Sequence, residues 1–181
     1  MSHHIPLQGG KVARVDAADH AQLKDLDWFV SKDGYAVGFV PNGDGHFKLQ
    51  YMHRLILQPD PEEVADHING DTLDNRRANL RIATRQQNTQ SKRLSSLSET
   101  RLKGVGWHKE RGKYHARICL QGIRYHLGFY ADAETAALAY DEAARLLFGE
   151  FALCNYPERE APRWLAEQVV RRLKARGCPL A

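Results

Sequence analysis

The segment from Val64 to Lys92 constrains this chain most, because three changes of local pattern follow one another within thirty residues. Val64-Ala65-Asp66-His67-Ile68 has the composition of a strand, Asn69-Gly70 opens a polar loop through a tight turn, and Asn79-Leu80-Arg81-Ile82-Ala83 reads as a returning strand. Thr84 then stands as a helix N-cap with Gln87 three residues on, a capping-box spacing that predicts a helix over 85–92. A strand, loop, strand and helix in this order bring Asp66, His67 and Asn88 together although they are far apart in sequence. Upstream, Met52 to Leu57 is a short apolar element that ends at Pro59 and Pro61, since proline removes a backbone donor and turns its predecessor away from helix.

The side chains gathered this way suit phosphodiester cleavage. Asp66 supplies a carboxylate to a hard divalent cation, Asn88 a second oxygen ligand, and His67 an imidazole that accepts a proton near neutral pH. A calcium loop is excluded: with Gly70 at the sixth position, Ala65 falls at the first and Arg76 at the twelfth, where carboxylates are required. Singly, each residue has a plainer reading, His67 as a structural histidine and Asn79 and Asn88 as turn or cap residues. Only their joint spacing points to chemistry. His53 lies in the apolar run and is placed beside the site as a supporting side chain, while Arg81 and Arg85 are placed against neighbouring phosphates.

The net charge of +4 conceals a strong asymmetry. Residues 1–75 hold 6 Lys/Arg against 12 Asp/Glu, residues 76–124 hold 13 against 2, and residues 125–181 hold 7 against 8. The basic middle block is interleaved with Trp107, His108, Tyr114, His115 and Tyr125, the footprint of a surface that follows a phosphate backbone, although a solvated basic face has the same composition. The three cysteines, Cys119, Cys154 and Cys178, support neither a disulfide framework nor a zinc site. The N-terminus lacks the charged start and apolar stretch of a signal peptide and no long apolar run is present, so the expected compartment is the cytoplasm of a bacterial or phage-infected cell, with no membrane partner.

Around the central segment, residues 1–52 read as a β-rich region with strand-like runs at Trp28-Phe29-Val30, Tyr35 to Val40 and Phe47 to Tyr51. A polar stretch over 93–101 reads as a linker. Beyond it, Gly104 to His108, Lys113 to Leu120 and Gly122 to Tyr130 form three strand-like runs. In the second, Tyr114, Ala116, Ile118 and Leu120 share one side and Lys113, His115, Arg117 and Cys119 the other. Asp132 is an N-cap for an alanine-rich helix from Ala133 to Phe148, and Arg163 to Arg176 is an amphipathic tail helix within 158–181 whose basic end suits the helix dipole or touches DNA. The fold class is α+β.

Residues 53–92 resemble the HNH endonuclease family with its ββα-metal motif, through Asp66-His67, Asn79 and Asn88. The resemblance implies His67 as general base, Asp66 and Asn88 as ligands of one Mg²⁺ or Mn²⁺ per active site, and Asn79 as the residue that ties the loop together. The last family position is often His and is Asn here, which favours a hard ion.

Residues 102–157 resemble the AP2/ERF DNA-binding domain, through Lys103-Gly104-Val105, Gly112-Lys113-Tyr114, Leu127-Gly128-Phe129-Tyr130, Ala139-Tyr140-Asp141 and Asn155-Tyr156-Pro157. This implies a three-stranded antiparallel sheet packed on one helix, with DNA contacts from Lys103, His108, Lys113, Tyr114, Arg117, Arg124 and His126. Gly106 stands where plant members usually carry arginine, so their target sequence is not carried over; Tyr114 has a second placement, facing the helix. The joint expectation is a site-directed endonuclease of phage or mobile-element type that acts on double-stranded DNA without a small-molecule cofactor. The alternatives are a non-cleaving DNA-binding regulator built on a degenerate HNH scaffold and, behind it, an RNA-binding module.

Overall fold

The computed structural model describes residues 2–90 and 99–180, which divide into two compact units, 1–85 and 86–181. Most of the linker expected over 93–101, and the last two residues of the helix expected over 85–92, fall outside the described residues.

In the first unit, β1 (Ser2–Pro6) and β2 (Val12–Asp16) form an antiparallel hairpin that runs directly into α1 (Ala17–Leu23). This hairpin and helix are additions to the β-rich region read from sequence. Asp16 stands at the N-cap of α1 without capping it; its carboxylate accepts the Arg77 N–H at 2.8 Å instead. β3 (Trp28–Val30), β4 (Ala36–Pro41) and β5 (Phe47–Tyr51) make a second antiparallel sheet in the order of the chain. The short apolar element is the helix α2 (Met52–Leu57), closed by Gln58 in the left-handed region immediately before Pro59. β6 (Glu63–His67) and β7 (Leu80–Thr84) pair antiparallel, with Asp66 opposite Arg81 and His67 opposite Leu80, and α3 (Arg85–Gln90) follows β7 without a break.

Residues 1–52 and the β6–β7 hairpin share one core rather than forming separate regions. Ile5, Val15, Leu23, Trp28, Met52, Ile56 and Leu80 are all buried in it, and the Trp28 indole donates to the Leu23 carbonyl at 2.8 Å. β2 is also stitched to the loop between β6 and β7: the Arg14 N–H donates to the Leu73 carbonyl at 2.8 Å, and the Asn75 N–H to the Arg14 carbonyl at 2.7 Å. Burial of this apolar surface supplies the main driving force for the unit, and the stitching fixes where the loop lies on it.

In the second unit, β8 (Val105–His108), β9 (Lys113–Leu120) and β10 (Ile123–Tyr130) form an antiparallel sheet in the order β10-β9-β8. α4 (Ala133–Phe148) packs across all three strands, and α5 (Arg163–Lys174) packs on α4 and β10. Asp132 caps α4, accepting the Thr135 N–H at 2.7 Å and its hydroxyl at 2.9 Å. Five alanines of α4 are buried without measurable exposure, which lets the helix approach the sheet closely. Gly104 is part of that approach: it has φ +73, and a Cβ there would collide with the Tyr140 ring and lie 2.6 Å from the Arg117 carbonyl.

Candidate functional site

The polar loop between β6 and β7 is held by its own side chains. Asn69 Oδ1 accepts the Asp71 N–H at 2.8 Å, an Asx turn, and Asn79 spans the loop: its Oδ1 accepts the Asn69 N–H at 3.0 Å while its Nδ2 donates to the Asp74 carbonyl at 2.7 Å. Asp74 is the electrostatic centre of this loop. Its carboxylate is fully buried, receives Arg76 Nε and Nη2 at 2.7 and 2.6 Å, and lies 3.4 Å from Arg14 Nη2. The Arg76 guanidinium holds its carboxyl down to about 2, helped by the charge of Arg14 and the amide of Asn69.

His67 ends β6 with its ring buried and its Nε2 3.2 Å from Asn75 Oδ1. An amide oxygen can only accept, so this contact puts the imidazole proton on Nε2 and leaves the Nδ1 lone pair for the site. Burial pushes the His67 pKa down, against the opposing influences of Asn75, Asp66, Asp71 and Asp74, which keeps the ring neutral at neutral pH. Its neighbours are aromatic: the ring centroids of His53 and Tyr35 lie 5.0 and 5.8 Å away, and those of Tyr35 and Tyr51 lie 5.3 and 5.5 Å from His53. His53 is itself buried, and its Nδ1 has no hydrogen-bond partner among the described residues.

Asp66 and Arg81 face each other across the hairpin. Arg81 donates Nε and Nη2 to Asp66 Oδ2 at 3.0 and 2.9 Å, and the two side chains are 14% and 13% exposed. This partnership orients the Asp66 carboxylate beside His67, and it turns Arg81, expected against phosphate, toward the carboxylate. Arg85 is exposed at the start of α3, and Asn88 lies half-buried one turn into that helix, among the residues of the second unit. Asp66, His67 and Asn79 are thus gathered within the first unit together with Asn75 and Asp74, neither of which the sequence singled out. The signal was Asp74-Asn75 directly before Arg76, a carboxylate and amide in the loop that both strands enclose.

Asp66 offers a carboxylate, the ligand type that Mg²⁺ and Mn²⁺ take, and among the described residues no group of three His, Cys, Asp or Glu side chains that could hold a metal ion is present.

The family profile described as HNH endonuclease matches residues 50–90, which contain this loop and both flanking strands. An uncharacterized HNH endonuclease of Acanthamoeba polyphaga mimivirus is 35% identical over 131 residues, 71% of this chain and 66% of the relative. The chain belongs to the HNH endonuclease family. Protein 3.8 of Escherichia phage T7 is 30% identical over 87 residues, 48% of this HNH chain and 71% of the phage protein. The dehydration-responsive element-binding protein 2E of Oryza sativa subsp. japonica is 53% identical over 53 residues, 29% of this chain and 17% of the rice protein. HNH nucleases are in general divalent-metal dependent.

In the second unit of this HNH protein, the sheet face away from α4 carries a ladder of rings and cations. Adjacent rings among His108, His115, His126 and Phe129 lie 4.5 to 6.4 Å apart by centroids, and the Arg111 guanidinium lies 4.7 Å from the Phe129 centroid. Phe129 reaches this face because the register shifts between His126 and Gly128: His126 pairs with Arg117, yet Phe129 pairs with His115. Arg117, Arg124 and Lys113 are exposed, whereas Lys103 is half-buried and its ammonium is pulled down to about 8 by burial. Tyr114 lies on the side of β9 that carries Ala116 and Ile118, with its ring 4.8 Å from that of Trp107. Gly106 makes room for His115, whose Nε2 would lie 2.8 Å from a Cβ at that position.

Proposed function

We propose that this protein is a site-directed DNA endonuclease: the HNH loop hydrolyses a phosphodiester bond, and the sheet of the second unit holds the DNA. The observation that carries the reading is the neutral, buried His67, its Nε2 directed at Asn75 Oδ1, next to an Asp66 carboxylate oriented by Arg81. His67 takes the proton of the attacking water at Nδ1, with Asn75 holding the ring in the tautomer that leaves that nitrogen basic. Asp66 and Asn88 would hold one Mg²⁺ or Mn²⁺, which would supply charge stabilisation at the scissile phosphate and the leaving oxygen. Asn79 keeps the loop in the shape on which these side chains depend. On the second unit, Arg117, Arg124, Lys113, His108 and His126 meet duplex DNA with Lys103 adding charge nearby, and Arg85 meets DNA from the first unit. The likeness of residues 102–157 to the AP2/ERF domain, together with the rice relative whose name describes an element-binding protein, supports the DNA-holding role.

Incubation of supercoiled plasmid with wild-type protein and with His67→Ala, in Mg²⁺, in Mn²⁺ and in EDTA, tests the reading. Metal-dependent nicking or linearisation that disappears in the variant is expected. Cleavage unchanged by His67→Ala removes the catalytic assignment. Duplex binding without cleavage in any metal favours the second reading, a DNA-binding regulator on a non-cleaving HNH scaffold, which the same rice relative supports.

A further inference from the structure

The tail helix borders the ringed face of the sheet. Arg117, Arg124, His126 and Phe129 line a groove of about 380 Å³ whose remaining wall is Arg176, just beyond the end of α5. α5 is firmly seated: Leu165, Val169 and Leu173 are buried without measurable exposure, and Gln168 Nε2 donates to the Tyr130 hydroxyl at 3.1 Å. Positions 168, 172 and 176 recur at the four-residue spacing of one helix side, so the side that meets β10 at Gln168 carries Arg172 and then Arg176 toward the groove. The helix end is locked as well. Gly177 has φ +65, and the Cys178 N–H donates to the Leu173 carbonyl at 3.0 Å, the closure of a Schellman turn.

Charge in this groove is unbalanced. Among the described residues Arg117, Arg124, Arg172 and Arg176 pair with no carboxylate, whereas Arg159 and Arg163 on the same tail pair with Glu134 and Glu167. His126 sits among them with a buried Nε2 that has no hydrogen-bond partner among the described residues. Its imidazole is held down to about 4 by burial first, then by the positive charges of Arg117, Arg172, His115 and Arg176. Concentrated guanidinium charge around an unsatisfied polar atom is relieved by an anion with several acceptor oxygens, and a backbone phosphate is such an anion.

We propose that α5 is part of the DNA-binding surface, with Arg172 and Arg176 gripping backbone phosphates of the strand that runs along the β10 edge of the sheet. This rests on the sheet being the DNA-holding face. Favourable interaction with the helix dipole accounts for basic residues anywhere in the last turn, and Arg171 and Lys174 satisfy it equally. It does not account for two unpaired arginines converging on His126. The grip adds charge without base reading, so it raises affinity for all sequences and leaves the order of preference among them to the sheet.

Fluorescence anisotropy on a random-sequence duplex of about 30 base pairs, over a salt series and in a His67→Ala background to suppress cutting, tests the assignment. Arg172→Ala/Arg176→Ala is expected to weaken binding about tenfold or more and to lower the slope of log affinity against log salt by about 2, at about 0.9 per phosphate contact. The isoelectric control Arg171→Ala/Lys174→Ala is expected to change the slope by less than about 0.5, and Arg172→Lys/Arg176→Lys to regain most of the loss. If Arg172→Ala/Arg176→Ala behaves like the control while Arg117→Ala/Arg124→Ala loses binding, the tail assignment is overturned and the sheet reading stands. If Arg117→Ala/Arg124→Ala also binds like the parent, or the parent binds no duplex, both fall.

Discussion

His53 and His67 stand edge to face in one buried pocket, their ring centroids 5.0 Å apart and their planes inclined by 67°. Burial, and secondarily the neighbouring charges of His67 and Arg54, holds the His53 pKa down to about 3 from 6.5, and His67 is lowered in the same direction. Both rings take up a proton more readily in the unfolded chain than in the folded one. The stabilisation they represent is therefore complete above pH 6.5 and is lost as pH falls from there toward about 3.

Unfolding of the first unit is accordingly expected to become easier between pH 6.5 and about 4.5, by up to about 1.4 kcal/mol per pH unit for His53, with His67 acting in the same direction. Asp74, with its carboxyl held down to about 2, adds its own loss only at lower pH. His53→Phe keeps a ring against Tyr35 and Tyr51 and removes one titration, so its stability profile is expected to be flatter over this window. Urea unfolding of the full chain at several pH values, followed by hydrogen exchange of β6 and β7 amides, measures it; parallel profiles for the two proteins would contradict the assignment.

Asn79 is 8% exposed and satisfies one N–H and one carbonyl on opposite sides of the loop. Asn79→Ala leaves the buried Asp74 carbonyl without that partner and releases the part-buried Asn69 N–H, and is expected to destabilise the first unit by about 1 to 3 kcal/mol, chiefly from the orphaned carbonyl. Asn79→Asp retains the acceptor for the Asn69 N–H and is expected to recover part of that loss. Denaturation midpoints of the three proteins decide it.

Asn75 is fully buried, with its Oδ1 on His67 Nε2. Asn75→Ala is expected to lower plasmid cleavage about 10- to 100-fold, the usual effect of losing a partner that orients a reacting side chain, with duplex affinity unchanged. A parallel loss of affinity would mean that the loop, rather than the tautomer of His67, had failed.

Asp141 is fully buried in α4 and accepts three N–H groups, from Asn155 N and Nδ2 at 2.7 and 2.9 Å and from Tyr156 N at 2.8 Å. Asn155 in turn accepts the Lys103 N–H at 2.6 Å and donates to the Lys103 carbonyl at 3.1 Å, so one carboxylate ties the helix, the segment after it and the start of the sheet. Asp141→Ala is expected to destabilise the second unit by about 3 kcal/mol or more, read as an earlier thermal transition. Gly104→Ala, which drives a methyl group into Tyr140, is expected to be at least as damaging.

Local sequence was enough to mark the β6–β7 hairpin, the three strands of the second sheet, the Asp132 cap and the alanine helix, because each rests on short-range pattern: alternation, a tight Asn-Gly turn, a cap three residues from its target. The Asp66-His67 pair and Asn79 were legible for the same reason, as a spacing. What the sequence could not determine depends on contacts between distant segments. The Ser2–Pro6 hairpin and α1 were missed, and Asp16 at the N-cap position of α1 is used by the Arg77 N–H, 61 residues away, and not by the helix it precedes. Arg81 reads as a free cation until the register of two strands places it opposite Asp66. Phe129 reads as facing the helix by alternation until the bulge at Leu127 turns it to the other side, and Arg176 reads as a dipole charge until the packing of α5 on β10 carries it to His126. Periodicity fixes which elements form; strand register, bulges and helix docking decide which side chains meet, and those are set by burial of the whole core.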